Sequence, residues 1–415
     1  MKPLKIAVVG AGIVGVSCAE WLRRDGHEVT LIDRVEPGSE RQTSFGNAGL
    51  LARCAVVPVV VPGLLPKVPG MLLSKDSPLF LRWRKLPGLL PWLKGYLGRG
   101  GAGEVRRISA ALGDILLDSV DQHLALARGT AAERYIRFGE YFYFYKDRAA
   151  YEADAFGWGL RRDQGIVFTT LEREALEAVA PGIGPDYGFA VAMPDHGWIT
   201  DPGAYVAALA GHYRAEGGDF LQGEVEAIEP EGAGALLRID GEALLADRVV
   251  LAAGAWSARL AKRLGHAAGL QSEGGYHLVL EEPSHKPSAP LMLADSKFAV
   301  TPMEGGLRLA GLVEFGGLDA PLSDAPVEFL RRRVRRAFPG ITWKGESAWR
   351  GHRPSTLDSL PFVGASPKLS QIYFAFGAQH IGLTSGPKTG RLIADLIGRR
   401  RPNIDLSPFR VGRFD

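Results

Sequence analysis

The chain has 415 residues, too many for one ordinary hydrophobic core, so two domains are expected. Hydrophobic residues make up 46% and charged ones 23%, as in ordinary globular enzymes, and 49 basic against 46 acidic side chains leave a net charge of +3, which argues against a nucleic-acid partner. Two cysteines, Cys18 and Cys54, exclude a disulfide framework, and no Cys/His spacing suits a metal; a reducing, cytoplasmic compartment is expected.

The N-terminal apolar run superficially resembles a signal peptide, but regularly spaced glycines interrupt it and no cleavage site follows, so a buried strand is the better reading. Residues 5–33 predict a βαβ unit: strand Lys5–Val9, glycine turn, helix Ile13–Arg24, then strand Glu28–Ile32 ending at Asp33. Gly10, Gly12 and Gly15 stand in the G-x-G-x-x-G arrangement. The first permits the tight turn, the second lets backbone approach a pyrophosphate, and the third brings helix and strand together. Asp33 lies where a carboxylate meets a ribose diol. These features in this order predict a dinucleotide site, without separating NAD from FAD.

Residues 55–100 are apolar and basic, with aromatics interleaved, and are chopped by prolines 58, 62, 66, 69, 78, 87 and 91. Between 67 and 107, Lys67, Lys75, Arg82, Arg84, Lys85, Lys94, Arg99, Arg106 and Arg107 are opposed only by Asp76 and Glu104. This composition suits an anionic membrane surface and a quinone acceptor; a flap over the active site or a homo- or hetero-oligomer contact is the equal alternative. Residues 104–128 predict a helix. Residues 140–145 predict a strand on which Tyr141, Tyr143 and Tyr145 share one face, read first as core and second as pocket lining.

Further on, 203–216 predict a helix, 219–228 and 235–240 strands, and 247–252 a buried strand ending at Ala253-Gly254. Strands at 277–280, 298–302 and 307–313, the last two flanking Glu304-Gly305-Gly306, are expected in one antiparallel sheet with 140–145. Near the end come a strand at 371–376, a glycine-rich turn at 377–386 and a helix at 387–397. The architecture expected is α/β: a discontinuous Rossmann-like cofactor domain (1–52, 195–260, 346–415) and an α+β substrate domain with a mixed, largely antiparallel sheet (53–194, 261–345).

Three features favour FAD over NAD. The Arg41–Leu50 stretch offers hydroxyls, an amide and close backbone for a longer diphosphate chain. The Val249–Gly254 strand returns to the nucleotide domain, and the Gly377–Gly386 turn puts a helix N-terminus where negative charge would develop on a reduced flavin.

Carried by Gly10–Gly15 with Asp33, Thr43-Ser44, Asn47-Ala48-Gly49, Ala253–Ser257, Gly275-Tyr276-His277, Gly351-His352-Arg353-Pro354 with Asp358 and Pro361, and Gly382-Leu383-Thr384, the chain resembles the FAD-dependent D-amino-acid oxidase/dehydrogenase superfamily over essentially its whole length, notably bacterial D-amino-acid dehydrogenases and their hydroxy-D-proline relatives. The resemblance implies oxidation of a D-amino acid to an imino acid, then hydrolysis to a 2-oxo acid. It implies cofactor contacts from Gly10, Gly12, Ile13, Val14, Gly15, Asp33 and Arg34; from Thr43, Ser44, Asn47, Ala48, Gly49 and Leu50; and from Val225, Ala253, Gly254, Gly351, Arg353, Gly382, Leu383 and Thr384. Sarcosine-oxidase relatives attach FAD through a cysteine late in the chain; none follows Cys54 here, so non-covalent FAD is expected.

Arg353 is the candidate clamp for a small amino-acid substrate, because a guanidinium stays charged and grips a carboxylate with two parallel hydrogen bonds. Tyr276 and His380 are further candidate substrate contacts, each with a plain alternative: a core tyrosine and a hydrogen-bonded loop histidine. Hydride transfer from a neutral amine needs no dedicated base, and none is assigned. An opine or N-substituted amino acid as substrate, oxygen as acceptor, an NAD enzyme, and a silent flavin-binding subunit all remain open at this stage, as does a peripheral position on the inner face of the cell membrane.

Overall fold

The computed structural model describes residues 2–73 and 77–414. Its centre is a six-stranded sheet in the spatial order Phe362–Ala365, Ile372–Phe376, Arg248–Leu251, Lys5–Val9, Glu28–Asp33, Asp219–Gln222. All neighbours are parallel except Phe362–Ala365, which runs antiparallel to Ile372–Phe376. Ile6, Val8, Val29 and Leu31 pack on one face, and Ala7, Val9 and Ile32 on the other, so these strands carry the near-continuous apolar runs that burial on both faces demands.

Helices Ile13–Arg24, Pro202–Ala215 and Gly382–Ile397 contribute to the core of the first face. Ile13–Arg24 and Gly382–Ile397 touch closely because Gly390 has no side chain: a Cβ there would lie 2.6 Å from the Ser17 carbonyl carbon. The other face is covered by a three-stranded antiparallel meander (Val225–Glu231, Gly234–Ile239, Glu242–Ala246) and helix Ser257–Arg263.

The second layer is a ten-stranded sheet. Its main path runs Gly345–Ser355, Gln271–Glu281, Gly306–Phe315, Phe298–Met303, Leu291–Leu293, Ile136–Tyr145, Phe189–Ile199, Leu50–Leu51. The pairing is antiparallel except where Leu291–Leu293 meets Ile136–Tyr145 and where Leu79–Leu81 meets Gly306–Phe315. Helix Asp324–Ala337 backs it through Val327, Phe329, Leu330 and Val334. A mixed, largely antiparallel sheet beside a parallel one is the architecture expected.

Several local expectations need correction. The helix expected at 104–128 is two, Ala102–Leu116 and Ser119–Ala127; Asp118 stands between them and accepts a hydrogen bond from Lys388 Nζ at 2.7 Å. Both pack on the core of the parallel sheet through Ile108, Leu112, Ile115 and Leu126, so 53–194 is not wholly a substrate-side insertion. The strand expected at 219–228 splits at Gly223 into Asp219–Gln222 and Val225–Glu231, which join different sheets. The boundaries at 52, 195 and 346 also move: Leu50–Leu51 and Phe189–Ile199 pair with each other, and Gly345–Ser355 is an edge strand of the large sheet. The chain rejoins the parallel sheet only at Phe362.

The last helix begins at Gly382, five residues earlier than expected. Pro387 reads in sequence as a first-turn proline, but it lies inside the helix and leaves the Leu383 carbonyl without its usual donor. His123 supplies one instead, its Nε2 lying 2.9 Å from that oxygen.

Candidate active site

A cavity of about 700 Å³ opens at the C-terminal ends of the parallel strands, where ligands bind in sheets of this type. Gly10, Gly12, Ile13 and Val14 line it. Gly10 has φ +105°, a conformation side chains avoid. Gly15 faces away from the cavity: a Cβ there would fall 1.7 Å from the Gly10 carbonyl oxygen, so its role is helix–turn packing. Asp33 lines the cavity with its carboxylate already oriented, Oδ2 accepting from Ala11 N–H (2.7 Å) and Gln42 Nε2 (2.9 Å). Arg34 and Val225 are at the same cavity, the Arg34 guanidinium lying 4.6 Å over the Trp256 ring.

Thr43, Ser44 and Asn47 also line the cavity, and each is pinned. Thr43 Oγ1 donates to the His352 carbonyl (2.9 Å), Ser44 Oγ accepts from Ile13 N–H (3.0 Å), and Asn47 Oδ1 accepts from Gly49 N–H (2.9 Å). Ala48, Gly49 and Leu50 do not form the wall. Gly49 accepts from Ile199 N–H, and the Leu50 carbonyl accepts from Thr384 Oγ1 at 2.9 Å, so Thr384 ties the last helix to this segment rather than facing a ligand.

Ala253, Gly254, Gly351, Gly382 and Leu383 complete the enclosure. The Gly382–Ile397 helix has no side-chain cap at its N-terminus, so its first N–H groups are free for negative charge on a bound molecule. Bare backbone at Gly12, an oriented acid at Asp33 and this uncapped helix fit a dinucleotide as long as FAD.

Beyond the cavity, strands Gln271–Glu281 and Gly345–Ser355 pair with Glu273 opposite Arg353, Gly275 opposite Gly351 and His277 opposite Trp349, so these six share one sheet face. Both faces of Gly345–Ser355 border the cofactor cavity, through Ala348, Arg350, His352 and Pro354 on one and Trp349 and Gly351 on the other. Two adjacent glycines bed two arginines here. A Cβ at Gly275 would lie 2.8 Å from Arg353 Nε, and one at Gly274, on the opposite face, 2.8 Å from Arg350 Nε. Arg350 is engaged by the carbonyls of Ala320 and Gly317 and by Glu314. Arg353 donates one hydrogen bond, from Nη1 to the Leu312 carbonyl (2.8 Å), which leaves Nε and Nη2 for a ligand. Burial pushes its pKa down from the usual arginine value, opposed by the Glu273 carboxylate.

His380 follows Gln379 in the turn before the last helix. It is exposed to solvent yet closely surrounded by protein. That enclosure first, and the Arg353 charge second, lower its pKa to about 4, so the imidazole is neutral near pH 7.

Tyr276 does not join Arg353 and His380. It lies on the other sheet face in the core, its hydroxyl donating to Glu314 Oε2 (2.7 Å) and accepting from Ser323 N–H (3.2 Å). The expectation that it touches substrate is therefore corrected: its ring is packed in the core and its hydroxyl is committed to Glu314 and Ser323. Tyr141, Tyr143 and Tyr145 are packed with Trp158, Phe189 and Cys54, in keeping with the core reading.

Residues not anticipated lie in these walls. Gln42, Trp256, Trp349 and Gln379 line the cofactor cavity. Tyr96, from helix Leu86–Leu97, is 4% exposed and comes under the influence of Glu273 and Gln379. The same helix is anchored by Trp92, which donates from Nε1 to the Gly269 carbonyl (2.7 Å) and stacks on Tyr96 (4.5 Å). The outward side of this region exposes Leu65 (61%), Trp83 (57%) and Leu90 (54%) beside exposed Arg84, Lys85 and Lys94. Arg82 and Arg107 are instead paired, with Glu314 and Glu104; Lys75 and Asp76 lie outside the described residues. Among the described residues no helix is long and apolar enough to cross a membrane.

The family model for FAD dependent oxidoreductases (DAO) matches residues 5–396, and the chain belongs to that family. FAD is accordingly its cofactor. Among curated relatives, a D-amino-acid oxidase of Bradyrhizobium diazoefficiens is 38% identical over 416 residues, covering 99% of this chain and 98% of the relative. A D-amino acid dehydrogenase of Dechloromonas aromatica is 30% identical, covering 98% and 99%. In fold the chain is similar to the glycine oxidase of Geobacillus kaustophilus, with TM-score 0.73, 22% identity and 99% of both chains covered.

Proposed function

We propose that this protein catalyses the FAD-dependent oxidative deamination of a D-amino acid, with Arg353 holding the substrate carboxylate against the cofactor. The observation that carries this reading is the state of Arg353: enclosed, bedded on Gly275, and hydrogen-bonded through one nitrogen only. An enclosed guanidinium with an open Nε/Nη2 edge matches a carboxylate, the group all amino acids share. The D configuration is supported by the two relatives, matched nearly end to end.

Bound FAD supplies the two-electron acceptor for the hydride equivalent leaving Cα; water then converts the imino acid to a 2-oxo acid and ammonia. The chain's own residues orient and enclose. Arg353 fixes the carboxylate and thereby Cα, and His380, neutral near pH 7, adds no second positive charge against the incoming amine. The free N–H groups of Gly382 and Leu383 offer partial positive charge where the cofactor gains electrons. Asp33, Arg34, Ser44 and Val225 hold the nucleotide half.

The outward side of the Leu86–Leu97 region lies on an anionic membrane surface, which brings the protein to a quinone as the electron acceptor. Exposed Trp83 and Leu90 among Arg84, Lys85 and Lys94 support this second part. The test of the activity is anaerobic mixing of the purified flavoprotein with D- and L-amino-acid panels. D-amino acids bleach the flavin band, and subsequent air or quinone restores it at rates that identify the acceptor. Bleaching by L-amino acids alone, or by none, overturns the reading.

A further inference from the structure

The substrate side holds more chemistry than a carboxylate clamp requires. Glu273 is 5% exposed and sits on the Arg353 face of its strand, directly opposite Arg353 in the pairing. The two do not close an ion pair within 4 Å, although each feels the other's charge; the Ser355 hydroxyl lies beside the carboxylate. Near Glu273 is Tyr96, 4% exposed, whose hydroxyl is buried without a hydrogen-bond partner and is influenced by Glu273 and the Gln379 amide. A buried carboxylate and an unpartnered buried hydroxyl, each within the other's electrostatic reach, therefore accompany a guanidinium that has an open edge.

Burying a polar group without a partner is costly, and burying a charge without one more so. Burial pushes the Glu273 pKa up; with no ligand, the Arg353 charge opposes that shift and favours the ionised carboxylate. Once a substrate carboxylate takes up the guanidinium, that compensation is spent on the ligand, and Glu273 needs another positive or proton-donating group. A substrate with an apolar side chain has none to give there. One that ends in an ammonium or hydroxyl group has, and it also meets the Tyr96 oxygen.

We infer that Glu273 and Tyr96 form a second recognition point, which selects amino acids whose side chain ends in a hydrogen-bond donor. This rests on the reading of Arg353 as the carboxylate clamp. A site built to hydrogen-bond a substrate group rejects the analogue lacking it far more strongly than an apolar pocket rejects a missing methylene.

The experiment uses the flavin-loaded protein and isosteric pairs, D-homoserine with D-norvaline and D-ornithine with D-norleucine, and reads kcat/KM from anaerobic flavin reduction. The donor-bearing member of each pair is ahead by ~10-fold or more. Glu273→Leu brings both ratios towards one, Glu273→Gln reduces the ornithine ratio more than the homoserine ratio, and Tyr96→Phe reduces the homoserine ratio. Equal or reversed ratios in the wild type overturn the inference. So does a Glu273 variant that slows all four substrates by one factor, since the carboxylate then acts on the shared amino group or through Arg353. If the Glu273 variants do not retain flavin, the wild-type ratios and Tyr96→Phe still decide. Failure of the clamp reading shows separately: the decarboxylated amines of the same substrates would then reduce the flavin as fast as the amino acids.

Discussion

His123 Nε2 lies 2.9 Å from the carbonyl oxygen of Leu383, the helical acceptor that Pro387 cannot serve. For that oxygen to accept, Nε2 carries the proton, and Nδ1 accepts from the Tyr205 hydroxyl at 2.8 Å. One imidazole thereby holds the first turn of the helix that faces the cofactor. His123→Leu leaves the carbonyl and the Tyr205 hydroxyl buried without partners, at ~1–3 kcal/mol each. Denaturant unfolding should show that loss, together with weaker flavin retention; unchanged stability would mean that water replaces the ring.

Burial lowers the pKa of His123 and His196 from 6.5 to about 4, and that of His277 to about 3. The folded-state values lie below those of the unfolded chain, so as pH falls the unfolded chain takes up protons first. The stability these groups contribute is therefore complete above about pH 6.5 and declines as pH falls towards 4. Melting temperature measured at pH 7.5, 6 and 5 should decrease at each step. A flat profile across this window would show that the three rings are not kept neutral by burial.

Arg353 and Tyr276, both expected from the sequence to contact substrate, should behave oppositely. Arg353→Lys keeps a charge and loses the two-pronged grip, and should lower kcat/KM for amino acids by ~100-fold with flavin content intact. Tyr276→Phe removes a donor to buried Glu314 and should cost ~1–3 kcal/mol of stability while leaving the substrate kinetics alone. Steady-state kinetics beside thermal unfolding of both variants separates the two roles. A kinetic defect in Tyr276→Phe would place that side chain at the substrate after all.

Gly15→Ala tests the fingerprint. Its methyl group would fall 1.7 Å from the Gly10 oxygen, so backbone must move by more than an ångström at the turn beside the nucleotide. The purified variant should be folded but colourless or readily bleached by dialysis. Normal yellow protein with wild-type flavin content would contradict the packing described.

The membrane contact is tested by charge and by wedge. Wild-type protein should sediment with vesicles containing anionic lipid at low salt and be released by high salt. Trp83→Ser with Leu90→Ser should weaken that binding, as should Arg84→Glu with Lys85→Glu. No sedimentation of the wild type at low salt removes this part of the proposal.

Much of the nucleotide half was legible in the sequence because its determinants are local. Gly10, Gly12, Gly15 and Asp33 fall within one βαβ unit whose geometry neighbouring residues impose. The motif singled out Arg353, and the structure beds it on Gly275 with one hydrogen bond. Tyr276 was not legible, because what engages it in the core, Glu314 and Ser323, lies 38 and 47 positions away. The early start of the last helix was hidden for a similar reason: the donor that serves the Leu383 carbonyl in place of Pro387 lies 260 positions from it. The break at Asp118 is stabilised by Lys388, equally remote, and Tyr96 lay unread in a segment whose prolines made it look irregular.

The successive glycines 274 and 275 carry a further consequence. Each beds one arginine, and the arginines lie on opposite sides of the same sheet. One is saturated by carbonyls and Glu314, the other is left open. Side-chain direction alternates along a strand, so sliding Gly345–Ser355 by a single residue would turn both arginines over together. The open cation would enter the core and the saturated one would be stripped of its partners. A slipped strand thus strands two charges at once, which disfavours misregistration at this place.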